Sequence, residues 1–235
     1  MARTRQLARR TFLQGGIAAV SSGAFLARGL ASGRPSANDQ IAVGVIGAGI
    51  RGRALVQDMP GDARIVAVCD CYTPRIDGVR ALAPDTQIAA YSDYREMIDQ
   101  AKLDAVVVTA PDHHHVLAAM LACRAGLDVY CEKPLSLTIG EGKRLVEAVR
   151  HYRRVLQVGS QQRSMEMDRF ACKFVRDGGI GKISKVEVKN FPGPLRYGGL
   201  PAEQIPNGMF WDQFCGPRAA RPYNWRLWQK DERQW

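Results

Sequence analysis

The run Ile41-Ala42-Val43-Gly44-Val45-Ile46 leads directly into Gly47-Ala48-Gly49-Ile50-Arg51-Gly52. Six apolar residues followed by a glycine turn predict a buried strand, a tight reversal and a helix over 53–58. Gly47 permits the turn, Gly49 lets a ligand approach the backbone, and Gly52 lets helix and strand pack closely. Backbone amides at a helix N-terminus attract an anion such as a pyrophosphate. A second apolar run, Arg64 to Cys69, ends in Asp70. That acid lies about twenty residues beyond the glycines, where a carboxylate accepts hydrogen bonds from an adenosine ribose. Gly47, Ala48, Gly49, Ile50, Arg51, Gly52 and Asp70 are therefore the first candidates for binding a dinucleotide.

The chain then alternates. Helix 73–83, strand 88–91, a helix capped by Ser92 or Asp93 through Gln100, and strand 104–110 follow in order. Asp112 heads a helix over 115–125, Gly126 ends it, and Leu127 to Cys131 forms the next strand. Thr138-Ile139-Gly140-Glu141 has the spacing of a capping box for a helix reaching Tyr152, and Val155 to Val158 closes the series. About six strands alternating with helices predict an α/β fold with a doubly wound parallel sheet over 41–159.

After Gly159 the pattern changes. Met165 to Arg176 reads as a helix, and Ile183 to Asn190 alternates apolar and polar residues like one strand of a half-exposed sheet. Phe191-Pro192-Gly193-Pro194 opens a glycine- and proline-rich stretch. Trp211, Trp225, Trp228 and Trp235 crowd the end. Residues 160–235 are expected to begin an α+β domain with a mainly antiparallel sheet, left incomplete. The tryptophans are expected to pack beneath that sheet, with stacking on a sugar ring as the alternative.

The N-terminus carries a different signal. Arg9-Arg10-Thr11-Phe12-Leu13-Gln14 is a twin-arginine pattern followed by a mild apolar stretch, and no acid occurs in residues 1–31. A targeting segment over 1–31, a linker over 32–40 and export to the periplasm are expected. The apolar stretch is too short and too rich in Gly, Ala and Ser to span a bilayer, so no membrane span is expected in the mature form. Arginines 3, 5, 9, 10 and 28 would leave with the leader, taking the formal charge from +10 to about +5. The remaining Lys and Arg are scattered among acids, which argues against a nucleic-acid surface. The six cysteines form no C-x-x-C pair and are expected to stay reduced. His113, His114 and His115 are adjacent, and neighbours diverge from any regular backbone, so no metal site is expected.

Four segments in this order carry a family resemblance: Gly44 to Gly52, Thr109-Ala110-Pro111-Asp112-His113-His114-His115, Cys131-Glu132-Lys133-Pro134-Leu135, and Gln157-Val158-Gly159-Ser160-Gln161-Gln162-Arg163. The chain resembles the Gfo/Idh/MocA oxidoreductases, particularly their exported twin-arginine branch, over about residues 8–235. Glu-Lys-Pro is the most specific piece. The resemblance implies an N-terminal Rossmann domain followed by a substrate-covering domain. It also implies NAD or NADP as cofactor and a sugar or polyol as substrate, with a homo-oligomer when full length. It implies that Ala110, Pro111 and His115 line the dinucleotide site, while His113 and His114 stay on a loop surface. Lys133 is the implied catalytic residue, binding substrate and cofactor; Glu132 contacts the cofactor or orients Lys133. Gln161 and Arg163 reach the substrate or serve structural contacts. This chain ends before the segment that in the family carries a catalytic Asp and His.

Lys133 follows a strand end, where ligands bind in open α/β sheets. Burial there would tune its proton affinity for acid–base work. Asp70 repels a 2′-phosphate and favours NAD, with Arg51 and Arg75 as the cations able to reverse that preference. An NAD(P)-dependent oxidoreductase of carbohydrates or polyols is the leading reading. An NAD-dependent glycoside hydrolase and a non-catalytic dinucleotide-binding remnant are the alternatives.

Overall fold

The computed structural model describes residues 40–189 and 199–228. The leader, most of the linker, Phe191 to Pro194 and Trp235 lie outside the described residues.

Six strands form one sheet: β1 (Ile41–Ile46), β2 (Ala63–Cys69), β3 (Ala89–Tyr91), β4 (Ala105–Val108), β5 (Asp128–Glu132) and β6 (Leu156–Gly159). All five pairings are parallel, in the order β3-β2-β1-β4-β5-β6. Between them run α1 (Ile50–Gln57), α2 (Pro74–Arg80), α3 (Tyr94–Gln100), α4 (His115–Arg124) and α5 (Ile139–Tyr152). Each expected strand and helix in this region forms, with ends displaced by a few residues. α1 starts at Ile50 rather than Arg53, so that Gly52 lies inside the helix.

Strand alternation sends side chains to both faces. Val43, Val45, Ile65 and Val107 pack with Val56 of α1 and Ile76 and Val79 of α2. Ile46, Val106 and Val108 turn the other way, onto Met97 of α3, Ala118 and Ala122 of α4 and Leu145 of α5. Burying each Val or Leu contributes about 1.5–3 kcal/mol, so the two layers together hold the sheet. The run of small residues in α4 lets that helix approach closely. Two helix starts are closed by the chemistry the sequence implies; Asp112 does not cap α4 as expected, because it opens a 3-10 turn that makes His114 the residue before the helix. Asp93 accepts from the amide of Arg95 at 2.8 Å. Thr138 and Glu141 exchange two hydrogen bonds, each 3.2 Å, in the expected capping box.

Past β6 come α6 (Glu166–Arg176), α7 (Trp211–Cys215) and α8 (Trp225–Trp228). The expected strand over 183–190 does not form in its described part: residues 183–189 carry no regular secondary structure and are exposed, and Asn190 lies outside the described residues. A strand needs a neighbour for its backbone hydrogen bonds, and among the described residues none lies alongside. Residues 199–228 do not build a second layer either. Met209, Trp211, Phe214, Tyr223 and Leu227 cluster with Cys71 and Tyr72, against the end of β2. Phe210 N donates to Cys71 O at 2.7 Å and Thr73 N to Gly208 O at 2.9 Å, so the segment is stitched to the parallel sheet's edge. Trp211 and Trp228 thus pack on the first domain, not beneath a second sheet, while Trp225 is exposed.

Candidate functional site

The strand order reverses between β1 and β4, and the crevice beyond their C-terminal ends is where an open α/β sheet binds ligands. Gly47 occupies it with φ +101°, a conformation open to glycine. A Cβ on Gly47 would stand 2.7 Å from the amide of Ala110, and one on Gly52 would stand 2.0 Å from Gly47 O. Thr109 Oγ1 donates to Gly47 O at 2.7 Å and pins the turn to the end of β4. Gly49 is different: the nearest atom to its missing Cβ is Arg75 Nη1, 3.9 Å away. Two glycines therefore serve packing, and the third leaves open space over the first turn of α1. That turn carries no acidic residue and presents unpaired amides to an anion.

A cavity of about 590 Å³ opens beside this turn, over the ends of β1 to β4. Gly47, Gly49, Ile50, Asp70, Ala110 and Pro111 line it, as expected. The sequence reading did not assign Asp93, Tyr94 or Arg95, at the end of β3, or Gln213 and Phe214 of α7. The β3 residues follow a strand C-terminus, a signal available in the sequence. The α7 residues arrive by long-range packing, which leaves no local trace.

Asp70 is buried, with Oδ2 accepting from Ala48 N and Oδ1 from Tyr72 N, both at 2.8 Å. Burial raises its pKa above the ordinary carboxylate value; the two amides and the charge of Arg75 act in the opposite direction. Arg51 turns away from this acid. Its Nε donates to Glu132 Oε1 at 2.7 Å, while Glu132 Oε2 accepts from the amide of Lys133 at 3.2 Å. Glu132 is buried and faces β6, where Gly159 leaves room for its carboxylate. Ala48, Arg51, Gly52, Glu132 and Lys133 are not among the cavity's lining residues.

Lys133 is exposed, and a cis peptide joins it to Pro134. The burial expected around it is not present, because no described segment covers the ends of β5 and β6. Gln161 and Arg163 are also exposed, in a short 3-10 turn after β6. They share the Lys133 edge, since Glu132 pairs with Gly159 in the sheet.

The three histidines behave unlike the expectation. A 3-10 turn, Asp112–His114, brings the rings of His113 and His114 together, 2.7 and 2.9 Å from the single carbonyl of Phe214. His114 is buried and lines the cavity; it is not loop surface. Burial lowers its pKa to about 4, and the neighbouring His113 adds to the effect. His115 is buried behind the site with Nδ1 2.7 Å from Pro134 O and Nε2 2.8 Å from Ala110 O. It braces the loops after β4 and β5 and does not line the cavity. Burial pushes the thiols of Cys71 and Cys131 up to about 12, which keeps both protonated at neutral pH and poor nucleophiles. All six cysteines are free.

Residues 41–160 match the family described as "Oxidoreductase family, NAD-binding Rossmann fold". The chain belongs to this family. Its relatives include inositol 2-dehydrogenase 1 of Saccharopolyspora erythraea, 39% identical over 127 residues, covering 52% of this chain and 37% of that protein. Among solved structures, myo-inositol 2-dehydrogenase of Lactobacillus plantarum is similar with TM-score 0.55 and 31% identity, over 61% of this chain and 43% of that one. The scyllo-inositol dehydrogenase of Lactobacillus casei, solved with NAD(H) and scyllo-inositol, shares the fold with TM-score 0.56 at 23% identity, over 62% of this chain and 43% of that one. The chain thus spans less than half the length of these relatives.

Proposed function

We propose that this chain serves an NAD-dependent dehydrogenase that oxidises a polyol or carbohydrate hydroxyl to a carbonyl. The carrying observation is the turn at the β1/β4 reversal, where Gly47 and Gly52 are held by backbone sterics while Gly49 is left open beside Asp70. A pyrophosphate fits over the amides of α1, and the adenosine ribose fits toward Asp70. When bound, the nicotinamide supplies the acceptor for the substrate's hydride. The inositol dehydrogenases among the relatives support a cyclic polyol as substrate.

The chain's own residues supply the rest. Lys133 donates to the reacting oxygen and stabilises negative charge on it as the hydroxyl proton passes to solvent water, which reaches this exposed edge. Glu132 orients it: one carboxylate oxygen holds the amide of Lys133 and the other holds Arg51, so the phosphate turn and the lysine loop share one bracket. Gln161 and Arg163 offer donors to further substrate hydroxyls from the adjacent strand end. The twin-arginine pattern supports export of the folded protein with its cofactor aboard, and the family resemblance supports a homo-oligomer.

Calorimetric titration with NADH, followed by mixing NAD with a panel of inositols, alditols and aldoses, tests the reading. Binding of NADH and a polyol-dependent rise in absorbance of reduced cofactor are expected from the intact protein. No binding of NADH would remove the basis of the proposal.

A further inference from the structure

Tyr130 and Glu132 stand two residues apart on β5, so both side chains leave the same face of the sheet. On that face Tyr130 packs against the layer of Val43, Val45 and Val107. Beyond it the carboxylate of Glu132 is buried, with Oε1 on Arg51 Nε at 2.7 Å and Oε2 on the amide of Lys133 at 3.2 Å. Alongside runs β6, where Glu132 pairs with Gly159. A Cβ at Gly159 would stand 2.6 Å from Glu132 Oε1 and 2.9 Å from Tyr130 Oη. The backbone of Gly159 is not in the left-handed region, so its conformation does not demand glycine. The space demands it: the missing side chain is the room in which carboxylate and phenol meet.

The electrostatics agree. Burial raises the pKa of the Tyr130 phenol, the charge of Glu132 and a hydrogen bond with it act the same way, and Arg51 opposes them. The hydroxyl therefore keeps its proton at neutral pH and has it to donate. A carboxylate as buried as Glu132 needs its lone pairs answered. Arg51 answers Oε1 from a long side chain that is itself one-third exposed, which leaves the contact free to wander. A second donor at the same oxygen, from the strand that carries Glu132 itself, removes that freedom. Whatever fixes Oε1 also aims Oε2, because the two belong to one planar group. Oε2 in turn holds the backbone of Lys133.

We propose that Tyr130 is a positioning residue: its hydroxyl locks the Glu132 carboxylate, and through it the backbone of Lys133, in the space that Gly159 leaves. The proposal rests on the dehydrogenase reading above and adds to it the group that fixes where the lysine stands. Tyr130 does not line the cavity, so it acts through Glu132.

Tyr130→Phe removes one oxygen and keeps the ring. In the intact protein it should lower kcat for polyol oxidation about tenfold and leave the polyol KM and the NADH dissociation constant within about threefold. Amide hydrogen exchange of the nucleotide-free protein gives a second readout. The Lys133 amide should exchange about tenfold faster in the variant, while the amides of Val129 and Cys131 in β5 keep their rates. Glu132→Gln should lower kcat by itself, and adding Tyr130→Phe to it should lower kcat by less than about twofold more, since the phenol then has no carboxylate to lock. In a protein that oxidises a polyol, an unchanged kcat or an unchanged exchange rate at Lys133 in Tyr130→Phe would overturn the proposal. Losses that multiply in the double variant would overturn it as well, and so would faster exchange throughout β5, which is what a merely structural role gives. If exchange at Lys133 responds as expected but the unaltered protein oxidises no polyol, the dehydrogenase reading falls while the lock on the Lys133 backbone stands.

Discussion

From β1 to β6 most strand side chains and one face of each helix are packed in two layers; from Ser160 to Lys189 every residue is exposed. Yet α6 forms across that exposed region as readily as α5 does inside the packed one. Its Met167, Phe170 and Phe174 are exposed, with the two phenylalanine rings stacked on each other. The strand expected over 183–190 does not form, although its alternation is as clear as the helix's period. A helix closes its hydrogen bonds within itself, whereas a strand borrows them from a neighbour. A periodic pattern therefore predicts a helix in isolation and a strand only in company.

The sharpest way to break the comparison is to damage each region in turn. Gly52→Val drives side-chain atoms into Gly47 O and should cost about 3 kcal/mol or more in urea unfolding, with loss of dinucleotide binding. An unchanged midpoint would mean that the turn is not the tight element described. Lys133→Ala stands at the boundary of the two regions. In the intact enzyme it should lower polyol turnover by about a hundredfold and leave the NADH dissociation constant within about threefold. Equal loss of both would place the lysine in cofactor binding rather than at the reacting hydroxyl.

A third test uses acid. His114 has a pKa lowered from 6.5 to about 4 in the folded chain, so the unfolded chain takes up a proton first as pH falls. Its contribution to stability is intact above about pH 6.5, declines between there and about 4, and changes no further below. Dropping to pH 5 should cost about 2 kcal/mol at this site, and His114→Gln should flatten the slope of melting temperature against pH. An identical slope in the variant would remove the histidine from the explanation. The smallest effect belongs to the exposed region: Phe170→Ser should change stability by less than about 0.5 kcal/mol. A loss of about 2 kcal/mol would show that this helix face is covered in solution.

The sheet was readable because Gly, Pro, Asp and Thr mark its boundaries and because continuous apolar runs have few other uses. The glycine turn was readable for the same reason, since Gly47 and Gly52 are demanded by contacts with their own strand and helix. Asp70 was legible as a candidate, but its bond from Ala48 N was not, because Ala48 approaches only once β1 and β2 pair; the bond from Tyr72 N closes a local turn two residues on. The histidines were misjudged on local geometry: His113 and His114 converge because the backbone tightens to a 3-10 turn and because Phe214, a hundred residues on, supplies the acceptor. His115, expected to line the dinucleotide site, instead holds two loops together behind the cavity. Burial of Lys133 is a condition for tuning its proton affinity that local sequence does not decide; its exposure follows from what does not cover it in space among the described residues.

The contact between His114 and Gly216 also limits how this part of the chain can vary. A Cβ at position 216 would stand 2.2 Å from His114 Cε1, and Gly216 itself has φ +56°. Position 216 cannot gain a side chain while His114 stays in place. A side chain at 216 requires a smaller residue at 114 and a re-bent turn. In homologues that keep α7 seated beside β4, the two sites should change as a pair, so that sequence covariation across some hundred positions would record a contact a single methyl group is enough to forbid.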